Sequence, residues 1–175
     1  MDKILEIFII NPEKEFHVRE LARMLNKSPT TISKHLRGYE KSHILKSKKN
    51  LNHLLFKGDL LSLAFRQKKI NYNLEKIISS GLIKFLKNEF DYPEAIVLFG
   101  SWAKGENVDL SDLDLLIISP IKKEVEMKKF KKKFGEIQLF VLSNDKIKEM
   151  QKNSPELVNS FVNGIVLDGS WEMFR

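Results

Sequence analysis

The chain has 175 residues, 42% hydrophobic and 30% charged, with a net charge of +7, which suits one domain or two small ones with a real apolar core. It has no run of about eighteen apolar residues, no basic start or small-residue cleavage site in "MDKILEIF", and no cysteine. A membrane-spanning helix, a signal peptide, disulfides and thiolate metal sites are therefore not expected, and a cytoplasmic location is.

Positive charge is concentrated at the start. Residues 1–58 hold 12 Lys+Arg against 6 Asp+Glu, and residues 59–175 hold 18 against 17. A polyanion such as DNA is the partner this first third suits. Its elements follow in order. Ile4, Leu5, Phe8 and Ile9 make a helical stripe that Asn11-Pro12 ends. Val18, Leu21, Ala22 and Leu25 repeat it, and Ala22 is small enough for another helix to cross closely. After a turn at Asn26-Lys27, Ser28 is placed as an N-cap and Pro29 as the first helical residue. In the helix that follows, Ile32, Leu36 and Tyr39 face inward, while Thr30, Thr31, Ser33, Lys34 and Arg37 face out. Short hydroxyls and basic side chains suit a helix that enters a major groove.

"ILKSKKNLNHLLFKGD" reads as two short strands about a turn near Asn50, with Lys46, Lys48 and Lys49 on or beside the hairpin. The stretch from Val18 to Lys57 resembles the winged helix-turn-helix family of DNA-binding domains. That resemblance implies a recognition helix at about 29–40 and a basic wing at 46–53. It also implies double-stranded DNA as partner, through Ser28, Thr30, Thr31, Ser33, Lys34, Arg37, Lys46, Lys48 and Lys49. Some such domains dock proteins instead, so a protein partner is the alternative.

Residues 61–92 form a helical connector by pattern, with breaks near Asn71-Tyr72-Asn73 and Ser79-Ser80-Gly81. Residues 1–60 are then one domain and 93–175 another. In the latter, "AIVLFG" is a buried strand by its unbroken apolar run, and Gly100-Ser101 follows at a helix start. Such a bend exposes backbone N–H groups that suit a phosphate. "DLDLLIIS" is a second strand whose period of two puts Asp112 and Asp114 on one face. Two adjacent carboxylates repel, and a divalent cation relieves this; hard oxygen ligands suit Mg²⁺.

An apolar strand, Gly100-Ser101, Gly105, Ser111-Asp112-Leu113-Asp114 and a second apolar run follow one another. This order closely resembles the nucleotidyltransferase superfamily that includes DNA polymerase beta, especially its small prokaryotic members, over about residues 82–170. The resemblance implies an α/β (α+β) fold with a small mixed sheet flanked by helices. It implies an NTP substrate and Mg²⁺ or Mn²⁺ as cofactor. Gly100 and Ser101 would hold the triphosphate, Lys104 and Ser111 would lie near it, and Asp112 and Asp114 would hold the metals.

A third carboxylate is usual in that family on a neighbouring strand, matched here by "EIQLFVL", where Gln138 stands at the position. Glu136 shares its strand face and is the alternative catalytic carboxylate. "PIKKEVEMKKFKKKFG" reads as a helix with Ile121, Val125, Phe130 and Phe134 inward, its lysines either a nucleic-acid path or a solvated face. Two short helices follow, the second capped by Ser154, and then "GIVLDG" as an edge strand. His17, His35, His43 and His53 lack metal-ligand spacing and read as surface or wing residues.

Two functions fit. One is a Mg²⁺-dependent transferase that moves NMP from an NTP to a hydroxyl acceptor, guided by the winged helix. The other is a DNA-binding regulator whose transferase-like domain binds a nucleotide or a partner without turnover.

Overall fold

A computed structural model describes residues 2–50, 53–108 and 110–173. Contacts divide the chain into two compact units, Met1–Tyr72 and Asn73–Arg175.

In the first unit, α1 (Lys3–Ile10) starts where the Asp2 carboxylate accepts the Ile4 N–H, and it ends at Asn11. Its apolar stripe is buried, as the spacing predicts. Then β1 (Phe16–His17) leads directly into α2 (Val18–Leu25). Asn26, left-handed at φ 50°, ends α2, and α3 (Pro29–Lys41) begins under a Ser28 cap that accepts the Thr31 N–H. Ile32 and Leu36 are fully buried on its inner face.

The hairpin strands β2 (Leu45–Asn50) and β3 (His53–Gly58) pair antiparallel from Leu45↔Gly58 to Asn50↔His53. The turn expected near Asn50 falls on residues 51 and 52, outside the described residues. The two-residue strand β1 joins β3 through Phe16↔Phe56 and His17↔Leu55, giving the order β1-β3-β2. Phe8, Phe16, Leu21, Leu36, Phe56 and Phe65 fill this unit's core, with Phe8 edge-on to Phe16 at 5.2 Å.

Helix α4 (Leu63–Ser79) runs unbroken through 71–73, where the sequence predicts an interruption. Asn is a weak helix former because its side chain competes for nearby backbone groups. Asn73 is instead occupied elsewhere: its Nδ2 donates to the Trp102 carbonyl and to Asn107 Oδ1, both at 2.9 Å. The break at Ser79-Ser80-Gly81 is present, with Gly81 left-handed ahead of α5 (Leu82–Glu89).

The second unit is built on a mixed sheet. β4 (Ala95–Phe99) runs into α6 (Gly100–Lys104), and β5 (Leu113–Ile118) returns antiparallel beside β4. Then α7 (Lys128–Phe134) feeds β6 (Ile137–Leu142), which lies parallel to β5. After α8 (Asn144–Asn153) and α9 (Pro155–Val162), β7 (Ile165–Gly169) pairs with β4 as the expected edge strand. The order is β6-β5-β4-β7.

Ile96, Leu98, Leu113, Leu115 and Ile117 pack on one side against α5, α6 and α7. Val97, Phe99, Leu116 and Ile118 pack on the other with Ile147, Val158 and Phe161 of α8 and α9. Cover on both faces explains why β4 and β5 read as continuous apolar runs.

Three expectations here need adjusting. Residues 120–127 are not helical: Ile121 donates its N–H back to Ser119 Oγ just after Pro120, and its side chain is 39% exposed. Only Phe130 and Phe134 of the predicted stripe are buried. Ser154 occupies the cap position of α9 but makes no side-chain cap bond. Among the described residues, no helix is long and apolar enough to cross a membrane.

Candidate functional site

The acidic pair lies at one end of the second sheet. Asp114 is the second residue of β5, opposite Phe99 on β4 and Gln138 on β6. Asp112 precedes the strand. By the period of two, Asp114 and Gln138 share the face that carries Leu116 and Phe140. Beneath them Phe99 stacks edge-on to Phe140 at 5.4 Å and to Phe161 at 4.8 Å. The carboxylates therefore stand beside an apolar floor, both of them partly exposed. Burial first, and the Asp112 charge second, raise the Asp114 carboxyl above its ordinary value.

Gly100 is fitted to that acid. It is left-handed at φ +69°, and a Cβ there would collide with the Asp114 carboxylate. The backbone of the Gly100-Ser101 bend thus passes against Asp114 at a distance that no side chain permits. Helix α6 begins at this bend, and Phe99 at its N-cap offers no side-chain acceptor. The first-turn N–H groups of a helix lack intrahelical partners, so they suit an anion. Gly105, left-handed at φ +68°, closes α6 by donating its N–H to the Ser101 carbonyl.

The other predicted residues divide. Gln138 Nε2 donates to Asp112 Oδ2 at 2.5 Å, so the amide at the third-carboxylate position holds the first carboxylate. Glu136 is engaged elsewhere: its two oxygens take the Lys131 ammonium at 2.8 and 3.0 Å, with its side chain 66% exposed. Ser111 organises the loop ahead of the acids. Its Oγ accepts the Val108 N–H at 2.8 Å, and its carbonyl accepts Trp102 Nε1 at 3.2 Å. Lys104 is exposed in the last turn of α6. Trp102 was not among the predicted site residues; a tryptophan directly after Gly-Ser, needing a partner for its indole N–H, was the signal.

The arrangement fits a divalent cation. Among the described residues no three His, Cys, Asp or Glu side chains form a ready-made cage. Two partly exposed carboxylates instead suit an ion that completes its shell with water and phosphate oxygens.

In the first unit, Thr30, Thr31 and Lys34 line an open groove of about 770 Å³ along α3 with His35, Tyr39 and Ser42. Thr30, Ser33 and Lys34 also border a second cleft with His17 and Arg19. Arg19 was not predicted. It follows a His17 whose Nδ1 accepts the Arg19 N–H while Glu20 reaches back to the His17 N–H. A polar residue three before a glutamate, ahead of an apolar stripe, was the readable signal for that start.

Other predicted contacts are partly committed. Ser28 caps α3 and shares a hydrogen bond with Thr31 Oγ1. Arg37 pairs with Glu40 at 2.7 Å, Lys48 with Glu15 at 2.6 Å and Lys46 with Asp59 at 3.4 Å. Lys49 is exposed near the end of β2.

Residues 79–168, just over half of the chain, match the family model described as a nucleotidyltransferase domain. Comparison with curated proteins and with solved structures returned no match.

Proposed function

The chain belongs to the nucleotidyltransferase domain family, and on that premise we propose that it transfers NMP from an NTP to a hydroxyl acceptor, with Mg²⁺ or Mn²⁺ held by Asp112 and Asp114. The observation that carries this reading is the contact between the Gly100 backbone and the Asp114 carboxylate. It supports the reading because a bend without a side chain lies directly beside a carboxylate.

Each residue has a role in this reading. The N–H groups at Gly100 and Ser101 bind triphosphate oxygens, and Lys104 adds a positive charge nearby. A divalent cation on the aspartates supplies charge neutralisation for the triphosphate. Gln138 orients the Asp112 carboxylate by donating its amide to Oδ2. The phenylalanine floor keeps water from beneath the acids, which strengthens their interactions. In the transfer, the acceptor oxygen bonds to the α-phosphorus and the bond to the bridging oxygen of the β-phosphate breaks. Pyrophosphate leaves with that electron pair, and the acceptor proton passes to water.

The first unit is proposed as a winged helix-turn-helix that binds double-stranded DNA, with α3 as the recognition helix and β2–β3 as the wing. Support comes from the exposed Thr30, Thr31, Lys34 and Arg37 on one face of α3, and from the charge of the segment. A regulator that binds nucleotide or a protein partner without turnover is the second reading. Two observations favour it: the amide of Gln138 on Asp112, and the Lys131 pairing of Glu136. A cytoplasmic setting suits both.

Incubation with α-labelled NTPs, Mg²⁺ or Mn²⁺ and hydroxyl acceptors tests the choice. Transfer by the native chain that is lost in Asp112→Asn establishes the enzyme. Saturable nucleotide binding without label transfer establishes the regulator.

A further inference from the structure

The second unit holds 15 Lys+Arg against 16 Asp+Glu, yet residues 121–136 within it hold 7 lysines against 3 glutamates, a local net of +4. All seven lysines are exposed. Five of them fall in the seven residues of α7, whose Phe130 and Phe134 are turned into the core. The outward surface of α7 is therefore almost entirely ammonium.

That density works against the helix. Lys128 and Lys132, and Lys129 and Lys133, are like charges one turn apart, which destabilises a helix. Attraction to the C-terminal dipole offsets this only in the last turn. Glutamates answer part of the charge: Lys123 pairs with Glu89, Lys128 with Glu126 and Lys131 with Glu136. Lys129 instead lies 3.6 Å from the Phe85 ring centroid, and Lys133 lies over Phe134.

Lys76 adds to the patch, lying over the Trp102 and Phe134 rings at 5.4 and 5.6 Å. Burial first, and the Lys133 charge second, lower its amine below the ordinary value. A bound anion would relieve that repulsion.

The patch leads to the acidic pair. Only Gly135, Glu136 and Ile137 separate α7 from Gln138, whose amide is on Asp112. The Trp102 ring under Lys76 donates to the carbonyl of Ser111, the residue before Asp112. Helix α7 and the acids lie on opposite faces of the sheet, and β6 is its edge, so a ligand joining them turns round a single strand. Trp102, Phe130 and Phe134 are buried and Phe85, partly buried, lies under Lys129, so charge rather than base stacking leads recognition.

We propose that the lysine face of α7, with Lys76 beside it, seats the phosphate backbone of a nucleic-acid strand whose terminal hydroxyl is presented to Asp112 and Asp114. This names the acceptor class for the transferase reading and rests on it. Recognition is by backbone charge and so is independent of base sequence.

The test uses the full chain in a Lys34→Ala/Arg37→Ala background, which quiets the first unit. Fluorescein-labelled oligo(rA) and oligo(dA) of about twenty nucleotides are titrated by anisotropy at several salt concentrations. Adding Lys129→Ala/Lys132→Ala/Lys133→Ala should weaken binding of at least one oligonucleotide at least about tenfold. It should also reduce the salt slope by about two, at roughly 0.7 per lost contact. The triple arginine variant at the same positions should bind like its parent, which separates lost charge from lost folding.

NTP binding, read by calorimetry, should be unchanged by the triple alanine variant. Equal oligonucleotide binding with and without these lysines overturns the proposal, as does equally tight binding of poly-glutamate, which would assign the surface to an acidic protein. If NTP does not bind but the oligonucleotide does so through α7, the transferase reading falls and presentation to the acids falls with it.

Discussion

Residues 1–72 hold 15 Lys+Arg against 7 Asp+Glu, and residues 73–175 hold 15 against 16. In the first unit the functional candidates are side chains along one helix and one hairpin, most of them exposed and some paired with neighbouring acids. In the second they are a glycine, two aspartates and a glutamine in or beside three neighbouring strands, meeting at one end of a sheet. A surface made of separate charges loses affinity in increments as they are removed. A site made of interlocked groups fails at once, because each group sets the position of another. Substitutions in each unit test that contrast.

Asp112→Asn or Asp114→Asn should reduce label transfer at least about a hundredfold, because each removes a carboxylate proposed to hold the divalent cation. Thermal melting should barely move, since either change also relieves the repulsion between the pair. A modest loss of transfer would mean that the acids act separately, like the surface charges of the first unit.

Gly100→Ala should destabilise the chain by about 1–3 kcal/mol, from the left-handed backbone and the clash with Asp114. The same change should abolish nucleotide binding by calorimetry. Loss of stability with nucleotide binding retained would separate the bend from the acid.

Lys34→Ala/Arg37→Ala should weaken binding to duplex DNA about tenfold near 0.1 M salt, with the salt slope falling by roughly two. NTP affinity should not change. A collapse of DNA binding from either single change would contradict the incremental behaviour.

Tyr39→Phe should lower stability by about 1 kcal/mol by removing the 2.6 Å hydrogen bond to Asp2. Burial opposes ionisation of Asp2, but the Tyr39 hydroxyl, the Ile4 N–H and the charges of His35 and Lys27 outweigh it and hold the carboxyl below its ordinary value. A depressed carboxylate contributes stability above its unfolded value, near 4, and loses it as pH falls through the folded value. Urea melts of the native chain across that acid range should show this fall, and Tyr39→Phe should flatten it.

What the sequence showed, and what it hid, follows the same division. Helices α1, α2 and α3 were readable because Ser28, Pro29, Asn11 and the apolar spacing act locally. The strand-bend-strand around Gly100 and Asp114 was readable as a motif, since the residues that matter lie within one short stretch. Strand β1 was hidden: two residues become a strand only by pairing with β3, some forty positions later. Helix α4 ran past its apparent break because Asn73 finds partners at Trp102 and Asn107, which local propensity cannot register. The position of Gln138 was visible, but its grip on Asp112 depends on the parallel pairing of β6 with β5.

The most direct test is calorimetric titration of the full chain with a non-hydrolysable NTP, with and without Mg²⁺. A metal-bound triphosphate between Gly100 and the acids requires saturable uptake that depends on the cation and disappears in both Gly100→Ala and Asp114→Asn. Absence of uptake, or uptake that persists unchanged in those variants, would contradict it.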